Sequence, residues 1–137
     1  MLEVQTVWRG AAKNGKKYYE LTANTPSCLL FYFFQAGFDV HTCIADLSDE
    51  SGRNLLFKKA ESLFGESIDC LVNNVGTNIR KLSVEYEPPE FEKIMNTNLV
   101  SAFRLSQQFY PLLKKSGRGS VVNIGSVAGK PVIIIRQ

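Results

Sequence analysis

Ile68-Asp-Cys-Leu-Val-Asn-Asn-Val-Gly76 is a short apolar run closed by two asparagines and a glycine. Apolar residues on both faces suit a strand buried inside a parallel sheet. Asn73 and Asn74 then stand at the carboxyl end of that strand, the edge at which open α/β sheets bind ligands. Gly76 lets the backbone turn and lets a flat ligand approach closely. The same residues would equally make a plain strand followed by an ordinary Asn/Gly turn.

On the amino-terminal side, Asp39 to Ala45 reads as a strand with Asp46 at its carboxyl end. Ser48 or Asp49 can cap a following helix. Leu56, Ala60, Leu63 and Phe64 give that helix an apolar stripe, with Arg53, Lys58, Lys59 and Glu61 away from it, and Gly65 stops it. On the other side, Thr77 to Glu87 is a polar loop. Pro88 and Pro89 suit a helix start, where missing N–H groups cost little. Ile94, Asn98, Ala102, Leu105, Phe109 and Leu112 follow helical spacing. Asn98 is the polar exception on that stripe. Buried there, its amide needs partners, either backbone groups or a ligand. Ser120 to Ile124 reads as a further buried strand, ending in Gly125-Ser126. Ser126 is either a hydroxyl facing a ligand or a turn residue.

Strand, helix, strand, helix, strand implies an α/β fold: a partial doubly wound, Rossmann-type parallel sheet with helices on its faces. Asp46, Asn73 and Ser126 all fall at strand carboxyl ends, hence on one edge. The first residues are less regular. Val4 to Trp8 could be a short strand and Cys28 to Phe34 a buried strand or helix fragment, while Tyr18 to Pro26 has turn residues and no clear period. Gly10 to Lys17 resembles a phosphate loop, but Lys17 stands where a magnesium-binding hydroxyl is needed. A nucleotide hydrolase is therefore a poor reading, and Lys13, Lys16 and Lys17 read as a solvated turn.

The 137 residues suffice for one domain with a real core. A net charge of +3 is too slight to argue for nucleic acid or an anionic membrane. Cys28, Cys43 and Cys70 lack metal-ligand spacing and read as buried thiols of a reducing compartment, so no metal is expected. The lone His41 is expected to be structural. With no leader peptide evident and no apolar run long enough to span a bilayer, a cytoplasmic location is expected.

Four segments together resemble the short-chain dehydrogenase/reductase family, in its tropinone reductase-like branch. Asn73-Asn74-Val75-Gly76 resembles the family's Asn-Asn-Ala-Gly motif. Phe91-Glu-Lys-Ile-Met-Asn-Thr-Asn-Leu-Val-Ser-Ala-Phe103 resembles the helix that carries the catalytic asparagine, which falls on Asn98. Val121-Val-Asn-Ile-Gly-Ser-Val-Ala-Gly129 resembles the segment that carries the catalytic, substrate-binding serine, which falls on Ser126. Asp46 in Ala-Asp-Leu-Ser-Asp matches the acidic residue that contacts adenine. The resemblance implies NAD(P)-dependent reduction of a small carbonyl compound, with NADP or NAD held on its adenosine side by Asp46, Asn73, Val75 and Gly76. It also implies a tyrosine as general acid/base, a lysine that lowers its pKa, and a water-linked relay supported by asparagine.

The resemblance covers 36–129, between a divergent segment 1–35 and a divergent tail 130–137. The sequence contains no Gly-x-x-x-Gly-x-Gly pyrophosphate turn. Its one Tyr-x-x-x-Lys, Tyr110 with Lys114, precedes Ser126 instead of following it, and reads as a surface pair. In the family's strand order the third and fourth strands flank the first two, so the sheet needs Val4–Trp8 and Cys28–Phe34 to fill that slot. These departures lead to the expectation of a member truncated at both ends with weak or absent activity. The alternatives are a non-catalytic subunit pairing with full-length relatives through the helix 92–115, and a mis-spliced product.

Overall fold

The computed structural model describes residues 5–9, 18–22 and 39–126. The strands are β1 (Gln5–Arg9), β2 (Tyr18–Thr22), β3 (Asp39–Cys43), β4 (Cys70–Asn73) and β5 (Ser120–Asn123). The helices are α1 (Glu50–Phe64), α2 (Pro88–Met95) and α3 (Ser101–Ser116). A π turn, Asn96–Val100, joins α2 to α3 without a break in the chain's helical path.

The strands form one sheet in the order β3-β2-β1-β4-β5. β2 pairs parallel with β3 and β4 parallel with β5, whereas β1 runs antiparallel to both its neighbours. The fold is a partial Rossmann-type α/β sheet, as expected, but mixed where a parallel sheet was predicted. The slot between β3 and β4 is filled by β1 and β2. β1 lies one residue from the predicted Val4–Trp8. The second filler is Tyr18–Thr22, a stretch that showed no period by itself. Its tyrosines and threonine favour extended backbone once ladder partners are available on both sides. Cys28–Phe34 and the Gly10–Lys17 turn lie outside the described residues.

α1 and α3 pack side by side on one face of the sheet, and Phe57 meets Phe109 edge to face at 5.1 Å between centroids. Leu56, Ala60 and Phe64 of α1 join Ile68, Leu71, Leu105, Phe109, Leu112 and Leu113 in the core. Leu71 is buried, while Cys70 and Val72 are only half-buried. β4 is thus tightly covered on one face, not on both. All four residues of β5 are exposed, correcting the reading of that strand as buried. Among the described residues β5 is the sheet's outer strand, with a ladder partner on one side.

Local chemistry sets the helix ends. The Asp49 carboxylate, rather than Ser48, caps α1 by accepting from the Gly52 N–H at 2.6 Å. That bond, and then the Ser51 hydroxyl, hold the Asp49 carboxyl below the usual carboxylate range. Gly65 ends α1 with φ 68°, its N–H donating to the Glu61 carbonyl at 2.8 Å. Pro88 and Pro89 open α2, as their missing donors allow.

The π turn corrects the reading of the long helix. One extra residue in a turn rotates everything on its amino-terminal side. The buried positions there are Thr97 and Ser101, followed by Leu105 and Phe109, while Asn98 faces outward. The Ser101 hydroxyl donates to the Thr97 carbonyl at 2.5 Å, so the buried polar group is satisfied.

Arg53 also departs from expectation. It is 9% exposed and donates from Nη1 to the Leu47 carbonyl at 2.8 Å, so the first turn of α1 packs against the strand-to-helix connection. Gly52 meets the same connection so closely that an added Cβ would lie 1.8 Å from the Asp46 carbonyl oxygen. Gly52→Ala is expected to lower stability by about 1–3 kcal/mol through this overlap. Urea unfolding followed by circular dichroism measures it, and an unchanged midpoint would refute the close approach.

Candidate functional site

β3, β4 and β5 run in the same direction, so their carboxyl ends share one edge. Asp46 lies just past β3, Asn73 ends β4 and Ser126 lies just past β5. Asn73 and Asn123 are register partners on adjacent strands. Asp46 stands three strand spacings away, roughly 14 Å along the edge. The edge is therefore an extended site rather than a compact cluster.

Asn73 is 6% exposed. Its Nδ2 donates to Asn123 Oδ1 at 2.9 Å and to Ser106 Oγ at 3.2 Å, with the Ala102 carbonyl at 3.4 Å. The Ser106 hydroxyl in turn donates to the Ala102 carbonyl at 2.7 Å. Asn73 thus joins β4, β5 and α3. Its partners Ser106 and Asn123 were not singled out from sequence. The register of β4 against β5 identifies Asn123, and the packing of α3 on β4 identifies Ser106.

Asn98 is exposed, not buried, yet both ends of its amide are used. Thr77 N–H donates to Asn98 Oδ1 at 2.7 Å, and Asn98 Nδ2 donates to the Thr77 carbonyl at 2.9 Å. This pair imitates a strand ladder and ties the π turn to the loop that leaves β4. The loop has two further ties. The Tyr86 hydroxyl donates to the Ile79 carbonyl, and Lys81 forms an ion pair with Glu90. The Lys81 hydrogen bond, with the Glu87 backbone N–H, holds the Glu90 carboxyl below the usual carboxylate range.

Asn74 is exposed, and Val75 and Gly76 are half-buried. Gly76 does not use the left-handed backbone region, so its turn does not itself demand glycine. An added Cβ would sit 3.6 Å from Asn98 Oδ1, an ordinary contact. What glycine contributes at this position is open surface over the backbone. Asp46 is exposed, and its Oδ1 accepts from the Ser48 N–H at 2.9 Å and the Ser48 hydroxyl at 2.7 Å. Ser126 is exposed. His41 is half-buried in β3, five residues before Asp46.

Tyr110 and Lys114 are exposed on α3, with Lys114 Nζ 6.0 Å from the Tyr110 ring centroid. α3 ends shortly before β5 begins, so this pair lies toward the opposite edge of the sheet from Ser126. It is a surface pair, as read from sequence. No group of three or more potential metal ligands occurs among the described residues. No helix among them is long and apolar enough to cross a membrane.

The short chain dehydrogenase family model matches residues 10–135. The chain belongs to the short-chain dehydrogenase/reductase family. Among curated relatives, it is 52% identical over 93 residues to a tropinone reductase homolog of Arabidopsis thaliana, covering 68% of this chain and 35% of that protein. It is 48% identical over 95 residues to a second, chloroplastic homolog of the same plant, covering 69% of this chain and 30% of that protein. The chain thus spans about a third of the length of the curated relatives it matches.

Among solved structures, a double mutant of a Serratia marcescens short-chain dehydrogenase/reductase superposes with TM-score 0.73 at 24% identity, over 84% of this chain and 47% of that one. The Pseudomonas aeruginosa RhlG/NADP active-site complex gives TM-score 0.67 at 31% identity, over 83% and 46%. The family is one of NAD(P)-dependent oxidoreductases, and its tropinone reductase-like branch accounts for the segments that the sequence singled out.

The pairing of Asn98 with Thr77 predicts a specific local loss. In Asn98→Ala, hydrogen exchange at the Thr77 amide is expected to quicken about fivefold, as one charge-free hydrogen bond of roughly 1 kcal/mol is lost. Exchange in the α1 core should stay unchanged. Equal protection of Thr77 in both proteins would refute the tie.

Proposed function

We propose that these residues form the middle of a tropinone reductase-like carbonyl reductase, with the adenosine side of an NADP or NAD site and part of the catalytic edge. Asn98 carries the reading. It holds the π turn against the loop after Asn73–Gly76, on the edge that also bears Ser126. In this reading Ser126 hydrogen-bonds the carbonyl oxygen of a small substrate, and Asn98 supports the proton relay.

The residues suit only one half of the dinucleotide. Asp46 has its Oδ1 engaged by Ser48, leaving Oδ2 to accept from an adenine amine. Val75 and Gly76, past the end of β4 on the same edge, offer an apolar and an unhindered surface. Asn73 is committed to Asn123 and Ser106, so it supports this surface from behind rather than binding the cofactor. The bound cofactor would supply the hydride. RhlG, which resembles this chain, forms an NADP active-site complex, and this supports NADP. The sequence offers neither a Gly-x-x-x-Gly-x-Gly turn for the pyrophosphate nor a Tyr-x-x-x-Lys after Ser126. We therefore expect little or no turnover by this chain by itself. NADPH oxidation by the purified 137-residue chain, against a panel of small ketones, should not exceed that of Ser126→Ala. Clear turnover above that variant would defeat the inactive reading.

A second reading is favoured by one observation. Phe91, Leu99, Phe103 and Tyr110 are each more than half exposed along the helix 92–115 and the turn of helix before it. An apolar row of this kind on a water-facing helix suits contact with another chain. As a non-catalytic subunit, the chain would pair through this helix with a full-length relative or with itself. Size-exclusion chromatography of the chain mixed with an intact relative should show co-elution that Phe103→Glu abolishes. Separate elution at micromolar concentrations would count against pairing.

A further inference from the structure

α1 and α3 do not close on each other along their whole length. Between them lies a groove of about 540 Å³, lined by Glu50, Arg53 and Asn54 of α1, by Val100 of the π turn and by Arg104, Gln107 and Gln108 of α3. A groove of this volume accommodates a small organic molecule. The apolar row adjoins it: the Arg104 guanidinium lies 6.0 Å from the Phe103 ring centroid. None of its residues belongs to the edge described above.

Arg53 is the unusual member. It is 9% exposed, and among the described residues its guanidinium makes one hydrogen bond, from Nη1 to the Leu47 carbonyl. A guanidinium has five N–H donors. No carboxylate among the described residues forms an ion pair with it. Asp49 feels its charge but is committed to the Gly52 N–H and the Ser51 hydroxyl. A cation held largely out of water needs an anion or a set of acceptors.

The neighbouring amides are turned to the same purpose. Gln108 Nε2 donates to Asn54 Oδ1 at 2.8 Å across the groove. Arg104 Nη1 donates to Gln107 Oε1 at 3.2 Å. Each bond occupies one lone pair of a carbonyl oxygen. The Asn54 and Gln107 amino groups and the two guanidinium groups remain as donors among the groove residues, with Gln108 Oε1 as an acceptor beside them. Glu50 is an exposed carboxylate in the same lining and opposes an anion there, but the two guanidinium groups outnumber it.

We propose that this groove binds a small oxyanion, a carboxylate or phosphate group of a soluble metabolite-sized molecule, with Arg53 and Arg104 as the principal contacts. Planar guanidinium groups pair with such oxygens in two-pronged fashion, and the two amides add directed donors. The site is independent of dinucleotide binding at the sheet edge.

Isothermal titration of the full 137-residue chain at low ionic strength, with inorganic phosphate in one arm and succinate in the other, tests it. One-site binding of either probe is expected, and the tighter arm identifies the anion class. Arg104→Gln, an exposed substitution, should weaken that binding at least about tenfold while leaving the circular dichroism spectrum unchanged. Arg53→Met should abolish it; should that variant fail to fold, Arg104→Gln decides alone. Absence of binding for both probes at millimolar concentration, or equal affinity in Arg104→Gln, would overturn the proposal.

Discussion

The buried carboxamide of Asn73 is the constraint on which the carboxyl edge depends. It sits at the end of β4, is almost wholly covered, and donates to a side chain of β5 and a hydroxyl of α3. Without those partners, its burial would cost about 1–3 kcal/mol. With them, two strands and a helix are held in one relative position. The Ile124 N–H adds a bond to the Asn73 carbonyl at 2.8 Å, so backbone and side chain of one residue secure both sides of the β4–β5 junction. An apolar residue of similar size could pack there, but it would not set the register in which Asn123 comes opposite.

The second constraint is the π turn between α2 and α3. An uninterrupted helix would turn Asn98 toward the core with Leu105 and Phe109. The extra residue instead sends Thr97 and Ser101 inward and frees Asn98 to meet Thr77. A single local irregularity thus converts a buried polar residue into a clasp on the loop that leaves β4. Irregular turns of this type often accompany functional positions, because the regular helix could not present the side chain.

The sheet shows how a fold can be kept while its strand directions change. The order of strands agrees with the doubly wound pattern, yet β1 runs backward between two forward neighbours. Ladder hydrogen bonds form in either direction, so the slot can be closed by whatever extended chain lies beside it. The helices described lie on one face. Leu71 is consequently buried while Cys70 and Val72 are not, and β5 stays exposed.

What the sequence by itself determined is what depends on near neighbours. The α1 and α3 spans, the carboxylate cap, the Gly65 stop and the double-proline start all arise within a few residues and are legible there. So are the strands before Asp46 and Asn74, and the family motifs that place Asn98 and Ser126. Tertiary structure alone decided the rest. Tyr18–Thr22 became a strand because β1 and β3 offered it ladders on both sides. Arg53 was buried because the Leu47 carbonyl lay beneath it. Asn98 was exposed because one added residue rotated a helix face. Burial and pairing are properties of surfaces brought together from distant parts of the chain, and no local period encodes them.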